Sequence, residues 1–187
     1  MKSIFRFSII AVLVSTISSC AYVDGLLSPK RVVELDSLDK GVKIDIRKFF
    51  SGDIEAFAIV QDGDANITGT LTNKINGKWE ENKGVIQYNL TDDKGNKDNR
   101  TWLITLEADN TFVVVGHDFI KPAEGKQVGN AAQMIYSLNL RGKDKKEEVL
   151  FEDRMYLVDE KSMILISNFT KANGDTGKKI ASLRKIN

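Results

Sequence analysis

Beyond residue 51, apolar and polar positions alternate along the chain. Trp102, Ile104 and Leu106 share one face of an extended segment, as do Phe112, Val114 and Gly116, and again Val149, Phe151, Met155 and Leu157. A period of two places successive side chains on opposite faces of a sheet, so each run reads as a half-buried strand. Turn clusters separate the runs: Asp62-Gly63, Asp92-Asp93-Lys94-Gly95-Asn96, Ala108-Asp109-Asn110, Asp159-Glu160-Lys161 and Asn173-Gly174-Asp175. This spacing predicts about nine antiparallel strands, over 54–61, 65–75, 83–91, 100–108, 111–119, 127–140, 147–158, 163–169 and 178–185. The one helical stretch expected is short, Asp45 to Phe50, and Ser51-Gly52 would end it. Proline occurs only at Pro29 and Pro122, away from strand centres, which suits the assignment.

A meander this long has two edges to hide, and closure hides both. The expected fold is therefore all-β: an up-and-down antiparallel meander over residues 42–187, closing into a small barrel of about eight or nine strands behind a short N-terminal helix. An open sheet folded over itself is the structural alternative. A small barrel can enclose one ligand.

The first nineteen residues follow a different rule. Lys2 and Arg6 precede an apolar run (Ile9 to Val14) too short to span a bilayer, and the segment ends Ile17-Ser18-Ser19-Cys20. This is similar to the lipobox of bacterial lipoproteins, whose peptidase cuts before a cysteine that already carries diacylglycerol. Cys20 is the only cysteine, which excludes an internal disulfide and leaves its thiol for lipid. The expectation is a signal peptide over 1–19, a lipidated Cys20 with a tether over 20–41, and the barrel from 42 on. Several buried acyl chains at about 0.8 kcal/mol per CH₂ would make the anchor effectively permanent. Ala21 and Tyr22 follow the cysteine without an aspartate. By resemblance to sorting rules of enteric bacteria, this points to the outer membrane, facing the periplasm.

Charge narrows the partners. Lys2 and Arg6 are two of 27 basic residues, so the mature chain carries 25 against 26 acidic ones. That balance argues against nucleic acid. His117 is the only histidine, so no multi-histidine metal site can form. There is no phosphate loop, nucleophile elbow or metalloprotease motif, and neither an enzyme nor a cofactor is expected beyond the lipid on Cys20. Asp62-Gly63-Asp64 and Asp92-Asp93-Lys94-Gly95-Asn96 place carboxylates near glycine as calcium loops do, but read better as hairpin turns.

Strand parity supplies the candidate site. Arg100 falls on the face of Trp102, Asp118 on that of Phe112 and Val114, and Asp153 among Val149, Phe151, Met155 and Leu157. Charges on interior faces need partners or a purpose. One reading is an Arg–Asp network that fixes barrel register; the other is a polar floor on which Arg100 meets an anionic head group. His117 should face outward. Gly77-Lys78-Trp79 matches the Gly-x-Trp of lipocalins, which also fits a core tryptophan beside a turn.

The segment from about Ile44 to Lys185 resembles a family of bacterial lipoproteins known as a domain of unknown function, DUF3833. The resemblance rests on Phe50-x-Gly52, Ala56 and Val60-Gln61-Asp62, then Trp79, Arg100-x-Trp102, Gly116-His117-Asp118-Phe119, Ala123-x-Gly125 and Gly129-Asn130-Ala131. Asp153-x-Met155-Tyr156-Leu157 and Thr170-Lys171 with Gly174 complete it. Two positions depart from the pattern: Arg154 stands where tryptophan is usual, and Tyr88 where an acidic residue is expected. The resemblance implies a lipocalin-like barrel on a lipid anchor with no established activity. The reading is a non-enzymatic module that binds a small apolar or amphipathic molecule such as a fatty acyl lipid, with Arg100, Asp118, Asp153, Trp102 and Tyr88 as candidate contacts. The alternative is an assembly lipoprotein with a filled barrel that acts through a protein partner. A cavity of several hundred cubic ångströms would mark the binding barrel.

Overall fold

The computed structural model describes Leu35, Ser37 and residues 41–141 and 146–186. The expected signal peptide, Cys20 and most of the tether lie outside the described residues. Helix α1 (Ile46–Phe49) is a single turn with Asp45 as its cap, whose carboxylate accepts the Lys48 backbone N–H at 3.0 Å. Ten strands follow: β1 (Gly52–Asp62), β2 (Ile67–Glu80), β3 (Lys83–Asp92), β4 (Lys97–Leu106), β5 (Thr111–Gly116), β6 (Ala123–Val128), β7 (Ala131–Arg141), β8 (Lys146–Leu157), β9 (Ser162–Lys171) and β10 (Thr176–Lys185). Each pairs antiparallel with the next, and β10 returns to β1 from Ile54↔Lys185 to Asp62↔Gly177, so the barrel is closed and no strand is an edge.

The all-β meander, its closure and the short helix agree with the sequence; the strand count and several boundaries do not. The strand expected over 127–140 is two strands. Gly129 adopts φ +55°, where a side chain is strained, and with Asn130 it turns the chain between β6 and β7. Gln127 then opposes Ala132 and Val128 opposes Ala131. Apolar residues on both sides of this tight turn hide it from a pattern reading. β5 ends at Gly116, not at 119, so Asp118 sits in a turn after the strand. β2 runs five residues further than expected, to Glu80, and carries Gly77 and Trp79 within the sheet. The strand expected at 100–108 begins at Lys97, and Ala108–Asn110 form a 3₁₀ turn.

The two hairpin loops that carry clustered carboxylates are built as turns. Asp62 accepts the backbone N–H groups of Asp64 and Asn66 at 3.0 and 2.9 Å, and Asp92 those of Lys94 and Asn96 at 2.9 and 2.8 Å. The Asn66 and Asn96 side chains also donate to these carboxylates, and the hydrogen bonds hold both carboxyls below the usual range.

Helix α1 closes one end of the barrel. Ile46, Phe49 and Phe50 are buried against Ile54, Ile86 and Leu183 in a single core. The backbone N–H of Ile44 donates to the Gly129 carbonyl at 2.8 Å, and that of Ile46 to the Gln127 side chain at 3.0 Å. The Trp79 indole donates to the Phe50 carbonyl at 3.1 Å, while Lys185 Nζ donates to the carbonyls of Lys48, Phe49 and Ser51. The orphan carbonyls at the end of a one-turn helix are thus satisfied from β2 and β10.

Candidate functional site

A cavity of about 130 Å³ lies inside the barrel above α1. Ile46 and Phe50 lie at the helix end, and Ala58, Leu71, Leu90, Phe151 and Leu165 line the walls. The helix-side core (Ile46, Ile54, Ile86, Met163) is fully buried, whereas those wall residues stay partly exposed although they point inward. The cavity therefore opens at the end opposite α1. Ala58 and Ala181 face each other across the β1–β10 pairing, and two small side chains at one level leave room that larger ones would fill.

Rings form a continuous wall. Tyr88 meets Trp102 at 4.7 Å between centroids, Trp102 meets Phe119 at 4.9 Å, Phe119 meets Tyr136 at 5.4 Å, and Tyr136 stacks on Phe151 at 5.2 Å. Phe169 extends the row from Phe151 at 6.2 Å. The row belongs to β3, β4, the β5–β6 turn, β7, β8 and β9, and Tyr136, Phe151 and Phe169 stand directly opposite one another on successive strands.

The candidate charges do point inward, but they do not form one network. Asp118 and Asp153 are 7% and 5% exposed, and the Arg100 side chain is 19% exposed. Arg100 turns first to Asp98, two residues away on β4, whose Oδ2 accepts from both Nε (2.9 Å) and Nη2 (2.6 Å). Its Nη1 lies 3.5 Å from Asp118 Oδ2. One guanidinium thus faces two carboxylates. Asp153 belongs to a second group, in which the Tyr136 hydroxyl donates to its Oδ2 at 3.0 Å. Burial, then the Asp153 charge and this bond, push the Tyr136 phenol well above its usual range. Burial likewise raises Tyr88, followed by the charges of Asp153 and Asp118. His117 is exposed.

Parity missed Asp98 because the strand was expected to begin at residue 100, although Asp98 shares a face with Arg100 and Trp102 once β4 starts at Lys97. It could have found Tyr136, Lys179 and Asn73, which share faces with Met134, Ala181 and Ile75. All three line the cavity. Several buried polar atoms have no hydrogen-bond partner among the described residues: Asn73 Oδ1, Trp102 Nε1, both Asp118 oxygens, Asp153 Oδ1 and Ser167 Oγ. Buried polar groups are nearly always partnered, so such a concentration in one barrel is unusual.

The barrel is similar to two solved structures. One is an S-type phycobiliprotein lyase, CPES, from Guillardia theta, at 8% identity and TM-score 0.57, with 77% of this chain and 94% of that chain covered. The other is a protein of unknown function from the DUF3598 family of Nostoc punctiforme, at 10% identity and TM-score 0.56, covering 78% of this chain and 51% of that one. At such identities the likeness is one of fold. No curated protein matches in sequence. The family model described as protein of unknown function (DUF3833) matches residues 28–185, all ten strands and part of what precedes them, and the chain belongs to that family.

Proposed function

We propose that this protein is a lipoprotein anchored through Cys20 to the outer membrane, facing the periplasm, and that its barrel binds a small apolar or amphipathic molecule without transforming it. The anchor rests on Ile17-Ser18-Ser19-Cys20 and the apolar run before it. The binding reading rests on one observation: an aromatic-walled cavity, closed by α1 at one end and open at the other. Its 130 Å³ is less than the several hundred that would mark a roomy carrier, yet the barrel is not filled. An engineered apolar cavity of about 150 Å³ takes up benzene. The space therefore suits one ring or a short stretch of chain, and a longer ligand would run out through the mouth. A fatty acyl lipid fits that description with one end inside and the rest of its chain in the mouth.

The test is to fill the space. Ala58→Phe places a ring where Ala58 and Ala181 face each other, and it should abolish uptake of a fluorescent fatty-alcohol analogue while circular dichroism stays β. Unchanged uptake by a folded Ala58→Phe protein would place binding elsewhere.

A further inference from the structure

We infer that the cavity takes a ligand bearing a neutral or cationic hydrogen-bond donor, an alcohol, phenol or amine, and rejects a carboxylate, with Asp153 as the reading residue. This rests on the binding reading above and adds the chemical class.

Three observations carry it. The first is the state of Arg100. A free guanidinium would grip an anionic head bidentately. Here Asp98 takes two of its N–H groups, at 2.9 and 2.6 Å, and Asp118 stands 3.5 Å from a third nitrogen. The cation that sequence parity offered to an anion is already outnumbered by carboxylates.

The second is Asp153 itself. It lines the cavity and is 5% exposed. Tyr136 satisfies Oδ2, whereas Oδ1 has no partner among the described residues. A carboxylate oxygen can only accept, so the group that completes this site must donate. Ser167 opposes Asp153 directly across the β8–β9 ladder, and its buried hydroxyl oxygen is unpartnered as well. On the far wall Asn73 Oδ1 is a further unpartnered acceptor. A ligand carboxylate brought among these groups would meet Asp153 in a medium that screens poorly.

The third is the remaining cation of the lining, Lys179. It is partly exposed, and its Nζ lies 5.9 Å from the centre of the Phe151 ring, so a π-face already neighbours it. Trp102 Nε1 is a buried donor in the lining with no partner among the described residues, and an alcohol oxygen can accept from it while its proton goes to an acceptor.

The chain carries its own reporters. It has two tryptophans: the Trp79 indole N–H is bonded to Phe50 beside α1, while that of Trp102 is unpartnered in the cavity. The experiment titrates the full-length protein in detergent with toluene, benzyl alcohol, benzylamine and benzoate and follows the two indole cross-peaks by NMR. Benzylamine and benzyl alcohol should shift the Trp102 peak, leave that of Trp79 in place, and bind at least about tenfold more tightly than benzoate. Asp153→Asn keeps the shape and supplies an amide donor, so benzylamine should lose about tenfold and benzoate should gain. Tyr136→Phe, which frees Oδ2 and keeps the charge, should tighten benzylamine and serves if Asp153→Asn does not fold. Benzoate binding as well as benzylamine, or an order unchanged by both variants, overturns the head-group inference and leaves the binding reading standing. If no probe moves the Trp102 peak, toluene included, the binding reading falls and takes this inference with it.

Discussion

Tyr136 on β7 and Asp153 on β8 are diagonal neighbours in the barrel wall, and the phenol hydroxyl donates to the carboxylate at 3.0 Å where almost no water reaches either. Burial, and after it the Asp153 charge and this bond, raise the phenol well above its usual range.

Stability should therefore fall in alkali through the tyrosines. Burial raises both Tyr88 and Tyr136 in the folded protein. A raised folded pKa means that their contribution is fully present below the unfolded value of about 10 and is lost as pH rises beyond it. Melting temperatures should drop above that point, and the double variant Tyr88→Phe/Tyr136→Phe should flatten the fall. In an absorbance titration, these two of the chain's four tyrosines should release their protons only on unfolding. Early, reversible titration of all four in the folded protein would refute this.

Two glycines should differ in what replacement costs. A Cβ on Gly77 would lie 1.6 Å from the Phe50 carbonyl oxygen, a backbone atom in the joint between α1 and β2. A Cβ on Gly125 would meet the Phe112 ring at 2.2 Å, and a side chain can shift more readily than backbone. Overpacking typically costs about 1–3 kcal/mol. Gly125→Ala should fall in that range by urea denaturation. Gly77→Ala should exceed it and also weaken the Trp79–Phe50 bond, which the Trp79 indole NMR signal would report.

Arg100→Met should destabilise the barrel. It leaves Asp118 buried without its nearest cation, and breaking a buried pair costs about 3–5 kcal/mol. Partial exposure of Arg100 reduces this, so about 1–3 kcal/mol is expected. Adding Asp118→Asn should recover much of the loss, and exposed His117→Ala should change little. A melt unchanged by Arg100→Met would show that Asp118 does not depend on it.

For the anchor, Cys20→Ser should abolish labelling by a palmitate analogue and leave the protein uncleaved or released from membranes. Labelled, processed protein from that variant would remove the lipoprotein reading.

Much of this architecture is written in local order. A period of two, turn residues at regular intervals and an almost proline-free run of 146 residues specify strands that must pair with their neighbours, because short connections leave an antiparallel chain no other partner. Parity also sent Arg100 and Asp153 inward, since alternation along a strand is a purely local rule, whereas Asp118 is buried from the turn after β5. The Gly129-Asn130 turn escaped because apolar residues flank it on both sides and the pattern runs on through it. Which groups meet on the inner face was decided by register and packing between strands. Arg100 takes Asp98 from its own strand, and the register of β7 on β8 gives Asp153 to Tyr136. A sequence specifies which face each side chain occupies. The distances between faces depend on tilt, register and the volumes of all the side chains packed between them, and those are properties of the closed barrel alone.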